Sequence, residues 1–339
     1  MTKRRVMVLV HDYLVPPEDV SGHDLMTVSW KTEHDVTTSL REMGHDIRIV
    51  GVKDDLTVIR RAVEEWKPHI VFNMMEHFHE LGAFDHNVVS YLELLRVPYT
   101  GCNPRGLMLA RDKALSKTLL SYHRIPVPEF VVMRVGRKVR RPKRMSFPLI
   151  VKSLTQEASI GISQASVVHD DEKLAERVRF IHTSIGTDAI LERYIEGREL
   201  YVGIIGNQRL QVLPVWELRF SKMPDDTYHI ATERVKWSYK YQQKYGIKQG
   251  PAKLPEEVAA RAQHLARRVY RTLDLSGYAR IDFRMDEHNK LYVLEANPNP
   301  QLSYGEEFSE SAEKAGLSYE AVLQRIINAG LQWRPERLG

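Results

Sequence analysis

Two short stretches late in the chain hold the residue types best suited to chemistry: Ala279-Arg280-Ile281-Asp282-Phe283 and Leu291-Tyr292-Val293-Leu294-Glu295-Ala296-Asn297. Both read as strands, and Asp286-Glu287-His288-Asn289 reads as the tight turn between them. In an antiparallel pair closed by such a turn, Asp282 and Glu295 can face each other. Side chains alternate along a strand, so Arg280 shares a face with Asp282 and Asn297 shares one with Glu295. Two carboxylates and an amide oxygen are hard donors suited to Mg²⁺, which takes few protein ligands and uses substrate phosphates for the rest. A cation beside such a site stabilises charge on a transferring phosphoryl group or a tetrahedral intermediate. The same residues would equally make a surface hairpin with a cross-strand Arg–carboxylate pair.

Other stretches suit phosphate. Lys152 ends an apolar strand at 149–151, where a lysine can point into a cleft. The segment 153–163 that follows holds Ser159, Gly161 and Ser163 and few large side chains. Its backbone N–H groups can fold over phosphates, but it lacks the GxxxxGK[ST] pattern of a P-loop. A plain linker reads the same way. Lys113 opens a helical stretch, where a phosphate is welcome; a solvated lysine is the ordinary alternative. Glu192-Arg193-Tyr194-Ile195-Glu196-Gly197-Arg198-Glu199 is a strand leaving into a turn. A strand end can hydrogen-bond an adenine edge, and a carboxylate such as Glu199 can hold ribose hydroxyls.

The elements that must position these residues follow from periodicity. Apolar runs at 6–10, 47–52 and 70–73, with helical stretches at 28–43, 56–66 and 87–95 between and after them, predict a doubly wound parallel sheet. A short strand at 97–99 closes that unit. A helix at 107–123, strands at 130–135, 149–152, 164–168 and 189–194, and a helix at 171–181 predict a small α+β unit. Strands from 200 onward, a mobile-looking loop at 222–251, a helix at 255–273, the two strands above and a last helix at 318–329 complete the chain.

Composition narrows the class. The chain has 339 residues, 43% hydrophobic and 27% charged, enough for two or three domains and incompatible with a disordered or collagen-like chain. A single cysteine, Cys102, excludes an intramolecular disulfide and a cysteine-rich zinc site. No stretch approaches a membrane span and the first apolar run is too short for a signal peptide, so a soluble cytoplasmic protein is expected. The net charge of +5 is local: the segment 134–144 holds seven basic residues and no acid, and without it the remainder is slightly acidic. Such a run binds nucleic acid or an acidic partner or, more plainly, is a solvated loop.

In order and spacing these pieces resemble the ATP-grasp superfamily, and most closely D-alanine–D-alanine ligase and its relatives. The matching stretches are Ile70-Val71-Phe72-Asn73, Val97-Pro98-Tyr99-Thr100-Gly101, Asp112-Lys113, Val151-Lys152 with Ser159-Ile160-Gly161, the segment 192–199, Arg280-Ile281-Asp282, and Leu294-Glu295-Ala296-Asn297. They span about residues 70–330. The resemblance implies three domains: an N-terminal α/β domain at 1–103, a central α+β domain at 104–197, and a C-terminal domain at 198–339 with the metal site. It implies ATP contacts from Lys113 and Lys152 to phosphates, from Glu192, Tyr194 and Ile195 to adenine, and from Glu199 to ribose. It makes Lys236 the lysine that reaches the γ-phosphate and Asp282, Glu295 and Asn297 the ligands of two Mg²⁺ ions, with Mn²⁺ as an alternative. Arg280 would steady the acyl phosphate and the tetrahedral intermediate, with Ser159 and Lys236 as the other candidate catalytic residues. The implied reaction joins a carboxylate to an amine, on amino acids or a small peptide, through an acyl phosphate. A homodimer formed through the N-terminal domain is implied as well, with no role for membrane or nucleic acid.

The substrate half departs from the family pattern. After the first strand the chain reads His11-Asp12-Tyr13-Leu14-Val15-Pro16-Pro17, with Glu33 further on, in place of a glycine-rich loop with its glutamate. The stretch after Asn73 includes Glu76-His77-Phe78-His79-Glu80, and Asn297 is followed by Pro298-Asn299-Pro300-Gln301-Leu302-Ser303-Tyr304-Gly305. His77 and His79 would line a pocket, hold a metal, or sit on a solvated loop. Three further readings stand beside the small-molecule ligase: a ligase acting on a protein docked at 134–144, a D-alanine–D-alanine ligase proper, and a non-catalytic nucleotide-binding protein.

Overall fold

The computed structural model describes residues 2–25, 27–224 and 226–335. In it β1 (Arg5–His11), β2 (Asp46–Val52) and β3 (Ile70–Asn73) form a parallel sheet in the order β2-β1-β3. β1 is central and apolar without alternation because both its faces are covered. Met7 and Leu9 join a core with α2 (Thr57–Trp66) and α3 (Asp85–Leu94). Val6, Val8 and Val10 join another with α1 (Lys31–Glu42) and the last helix of the chain. Residues 97–99 do not form the expected strand. Pro98 has no N–H to give, and the segment contributes one parallel bridge, Val71 to Tyr99.

The expected single helix at 107–123 is two: α4 (Pro104–Arg111) and α5 (Lys113–Tyr122). Asp112 breaks the run with an extended backbone, and its carboxylate accepts from the Ala114 and Leu115 N–H groups at 2.9 Å. This N-cap starts the second helix at Lys113. A four-stranded antiparallel sheet follows, β4 (Phe130–Met133), β5 (Leu149–Ser153), β6 (Val167–Val168) and β7 (Ala189–Arg193), in the order β4-β7-β5-β6. Residues 164–166 are a 3₁₀ turn rather than strand. Leu149, Val151, Ala189 and Leu191 pack on α6 (Asp171–Phe180), which leaves the opposite face of this sheet free to line a cleft.

The third sheet comprises β8 (Arg198–Ile205), β9 (Gln211–Val212), β10 (Trp216–Phe220), β11 (Ile247–Pro251), β12 (Tyr278–Met285) and β13 (Leu291–Pro298). Its order is β11-β10-β8-β12-β13, with β9 beside β8. The segment 222–251, expected as a mobile-looking loop, holds α7 (Glu233–Trp237), α8 (Tyr239–Tyr245) and β11. Tyr241 and Tyr245 pack with Trp216, Val235 and Ile247, so much of its aromatic content holds it down. Trp237 and Tyr239 remain exposed. Behind the sheet, Ala262, Ala266 and Val269 of α9 (Glu256–Thr272) pack with Leu200, Val202, Ile281 and Phe283.

The chain ends in α10 (Glu307–Lys314) and α11 (Tyr319–Gln332). Ile326 and Ile327 of α11 share a core with β1 and β3, so the last helix seals the first sheet. Contact there is close: a Cβ on Gly330 would lie 2.2 Å from the Tyr99 carbonyl oxygen and 2.9 Å from Ile70 Cδ1. No helix among the described residues is long and apolar enough to cross a membrane. We expect Gly330→Ala to lower stability by about 1–3 kcal/mol through overpacking, measured by denaturant unfolding. At an unhindered helical position the same change raises stability by up to about 1 kcal/mol, so the sign of the shift tests the approach.

Candidate active site

The site lies where the free faces of the second and third sheets meet. On the third sheet, β12 alternates strictly. Ala279, Ile281, Phe283 and Met285 belong to the core, which turns Arg280, Asp282 and Arg284 to the cleft. β8 supplies Glu199 and Tyr201 opposite Arg284 and Asp282. On β13 the expected pairing forms: Asp282 lies opposite Glu295, and Arg280 opposite Asn297.

That pairing depends on a β-bulge. Phe283 pairs with Val293 and Asp282 with Glu295, so Leu294 is the extra residue. Val293 and Ala296 both join the core, three positions apart instead of two. Without the bulge, Val293 and Glu295 would share the core face. With it, Leu294 and Glu295 both line the cleft.

Positive charge converges on these carboxylates. Arg280 donates to both oxygens of Asp282, at 2.7 and 2.9 Å, and also binds Glu307 at the start of α10. Lys113 Nζ lies 3.8 Å from Glu295 and donates to the Gln156 carbonyl at 2.6 Å. Burial would raise the Glu295 pKa, but Lys113, Lys236 and Lys152 outweigh it and hold the group at about 2. Asp282 moves the other way. Burial lifts it and Glu295 adds to the rise, against Arg280. Glu295 keeps a quarter of its side chain open to the cleft.

On the second sheet, Lys152 donates to Glu192 Oε2 at 3.0 Å, and Lys117 of α5 forms an ion pair with Glu192 Oε1 at 3.2 Å. Glu192 and Lys117 each have only 1% of the side chain exposed. Burial pushes the Glu192 pKa up, but Lys117 and Lys152 together bring it below the usual carboxylate range. Lys117 also donates to the Leu294 carbonyl, so it ties the second sheet to the bulge. Sequence reasoning missed it; its place one helical turn after Lys113 was the available signal.

Arg284 was missed too. It donates to the Ile195 carbonyl at 3.0 Å, to Glu199 at 2.9 Å and to the His229 carbonyl at 2.6 Å. It thereby fixes the strand end at Tyr194-Ile195 and the Glu199 carboxylate. Its position two residues after Asp282 put it on the same face. Ser159, at φ 61°, donates to the Ala231 carbonyl at 2.7 Å and lines the cleft with Lys236. Ile150, Ile162, Ile230 and Leu294 make the same cavity apolar on its walls. An apolar slot ending in carboxylates and lysines suits a nucleotide base at one end and phosphates at the other. A larger cavity, about 1050 Å³, lies away from this chemistry, between α9, α11 and the β8–β9 turn.

The structure thus brings Lys113, Lys152, Ser159, Lys236, Arg280, Asp282, Glu295 and Asn297 to one cleft with the 192–199 strand end. The donor set of Asp282, Glu295 and Asn297 is all oxygen and fits Mg²⁺, and the Asn297 Nδ2 is buried without a partner. His77 and His79 join no cluster of three or more potential metal ligands among the described residues. In the basic segment, Arg141 and Arg144 are committed to ion pairs with Asp171 and Glu129.

Residues 119–328 match the family model described as D-ala D-ala ligase C-terminus. The chain belongs to that family. It is an ATP-grasp ligase that joins a carboxylate to an amine and forms ADP. Over 305 residues it is 30% identical to the D-alanine–D-alanine ligase of Desulforudis audaxviator, covering 88% of this chain and 92% of that one. It is 33% identical over 299 residues to the uncharacterized protein y4sG of Sinorhizobium fredii, covering 86% and 85%. The fold matches the Bacillus anthracis D-alanine–D-alanine ligase complexed with ATP at a TM-score of 0.76 and 22% identity, over 98% of this chain and 99% of that one. The VanG D-Ala:D-Ser ligase of Enterococcus faecalis follows at a TM-score of 0.70 and 18% identity, covering 97% and 100%.

Glu192→Gln leaves two buried ammonium groups without their counter-charge. We expect a loss of about 3–5 kcal/mol of stability at pH 7. The native pKa of Glu192 is depressed, so its contribution is present above the unfolded value of about 4.3 and is lost as pH falls through the lower native value. Urea unfolding of parent and variant should show a gap that narrows below about pH 4.

Proposed function

We propose that this ligase binds ATP between the second and third sheets and activates a small amino-acid carboxylate as its acyl phosphate, which an amine then attacks. The observation that carries this reading is the convergence of three lysines and Arg280 on the facing Asp282–Glu295 pair, beside a slot that ends in Glu199. Lys113 and Lys152 would hold the phosphates, which suits their positions at a helix start and a strand end. Lys236 would neutralise the γ-phosphoryl group as it moves. Tyr194 and Ile195 would present strand-end backbone to the adenine edge, and Glu199 would accept from ribose hydroxyls while Arg284 keeps it in place. Glu192, expected at the adenine, has its two oxygens facing Lys152 and Lys117 with 1% of the side chain exposed, so it would act at one remove, keeping Lys152 charged and aimed. Ser159, held by the Ala231 carbonyl, would keep the 153–163 loop closed over the phosphates.

Asp282, Glu295 and Asn297 would hold two Mg²⁺ ions, whose chemistry is to neutralise charge spread over the transferring phosphoryl oxygens. Arg280 is charged at every accessible pH. Its guanidinium would shift part of its pairing from Asp282 and Glu307 to the oxyanion that develops as the amine attacks. The protein's share is positioning and charge neutralisation. A cytoplasmic location, where ATP is abundant, and a homodimer through the first sheet's domain (residues 1–103, with the other domains at 104–197 and 198–339) complete the proposal.

The test is ADP release with ATP, Mg²⁺ and pooled amino acids and dipeptides, followed by mass spectrometry for a condensed product. We expect a new amide mass that disappears in Glu295→Gln. Arg280→Gln should retain ATP binding and lose about 10²–10³-fold in kcat. If every pool fails to raise ADP above the Glu295→Gln background, the ligase reading fails.

A further inference from the structure

The cavity of about 1050 Å³ between α9, α11 and the β8–β9 turn takes no part in the reaction above. It is as large as the clefts that take small organic ligands. Its walls are basic. Arg209 comes from the β8–β9 turn, Arg271 from the last turn of α9, Arg325 from α11, and Arg334 from just beyond α11. All four side chains are exposed. Among the described residues none of the four has a carboxylate partner. Arg334 is engaged through Nη1 alone, by the carbonyls of Leu331 and Trp333. The one acid among the described residues of the lining, Asp274, pairs with Arg105 at 3.1 Å.

Asn328 and Gln332 lie three and seven positions after Arg325, so they share its helix face. Asn328 Oδ1 accepts from Gln324 at 2.9 Å, which leaves its Nδ2 to donate. The floor of the recess is held in place from several sides. Tyr270 OH donates to the Gly206 carbonyl at 2.7 Å. Asn207 Nδ2 donates to the Ala329 carbonyl, and its Oδ1 accepts from the Gly277 N–H, both at 2.9 Å. Gly206 has φ 125°, and a Cβ there would lie 2.2 Å from the Arg209 carbonyl oxygen. Only glycine lets the turn fold back so tightly. Trp333 Nε1 donates to Glu93 at 3.0 Å and fixes another wall. The recess is therefore formed before any ligand arrives.

Like charges gathered round one recess repel. Arginines that only keep a surface soluble are interspersed with acids, and here the single acid is already paired. A multivalent anion relieves the repulsion, and guanidinium forks match the oxygens of phosphate and carboxylate. We propose that this recess is a binding site for a small multivalent anion, a polyphosphate group or a polycarboxylate, separate from the cleft of β12 and β13.

The probes are tripolyphosphate, citrate and acetate, titrated calorimetrically into the full chain without divalent metal. The variants are Arg271→Gln and Arg325→Gln, both at exposed positions. Tripolyphosphate or citrate should bind the parent at least about tenfold more tightly than acetate. Each variant should lose at least about tenfold of that affinity and keep the parent's unfolding midpoint and its affinity for a non-hydrolysable ATP analogue with Mg²⁺. Preference for tripolyphosphate supports the proposal with a phosphate ligand, and preference for citrate supports it with a polycarboxylate. An anion held by the lysines of the cleft would survive both variants, and that result overturns the proposal. Binding no tighter than that of acetate overturns it as well. Capture of polyglutamate with neither small anion bound assigns the recess to an acidic peptide and also overturns it.

Discussion

Two carboxylates held opposite each other in a low-dielectric cleft repel, and the rest of the site is organised around containing that repulsion. Asp282 and Glu295 face across β12 and β13 only because Leu294 bulges out of the ladder. Arg280 pins one carboxylate, and three lysines from three separate elements lower the other. These partners come from α5, β5 and α7, so the charge pair also dictates where the second sheet and the 222–251 segment must sit. Removing the counter-charges would leave a buried anion, which is why the folding problem and the nucleotide-binding problem are the same problem here.

Much of this was legible in the sequence because strand geometry is short-range. A two-residue period places Arg280 with Asp282, and a four-residue turn sets the Glu295 strand alongside; Glu295 itself comes opposite Asp282 only through the bulge. The bulge was not legible. It depends on Val293 and Ala296 both finding core partners, which is a tertiary fact. The break at Asp112 was readable in principle, since Asp followed by a helical run is an N-cap pattern, but the apolar periodicity on both sides hid it. The 222–251 segment looked open because its aromatic residues have no helical or strand period of their own. They bury against Trp216 and Ile247, which lie outside the segment. Lys117 and Arg284 sit on faces that periodicity alone had already assigned, yet lone basic residues in amphipathic stretches are usually solvated.

The two halves of the proposed site differ in character. The nucleotide half of the proposed site gathers lysines, carboxylates and a strand end. The other half holds the stacked rings of His11, Tyr13 and His77 and the buried Glu33. Phosphoryl transfer demands the same charges whatever is being joined, so that half has little freedom. Substrate recognition is set by groups that touch only the substrate, and these change without disturbing the sheets that carry them.

The most direct measurement is Mn²⁺ binding, followed by electron paramagnetic resonance, to the parent chain and to Glu295→Gln in the presence of ADP. If β12 and β13 form the metal site, the parent binds two ions per chain when ADP is bound and the variant loses that binding while its fold, followed by circular dichroism, persists. Equal Mn²⁺ stoichiometry and affinity in the two proteins would contradict the assignment of the Asp282–Glu295 pair as the metal site.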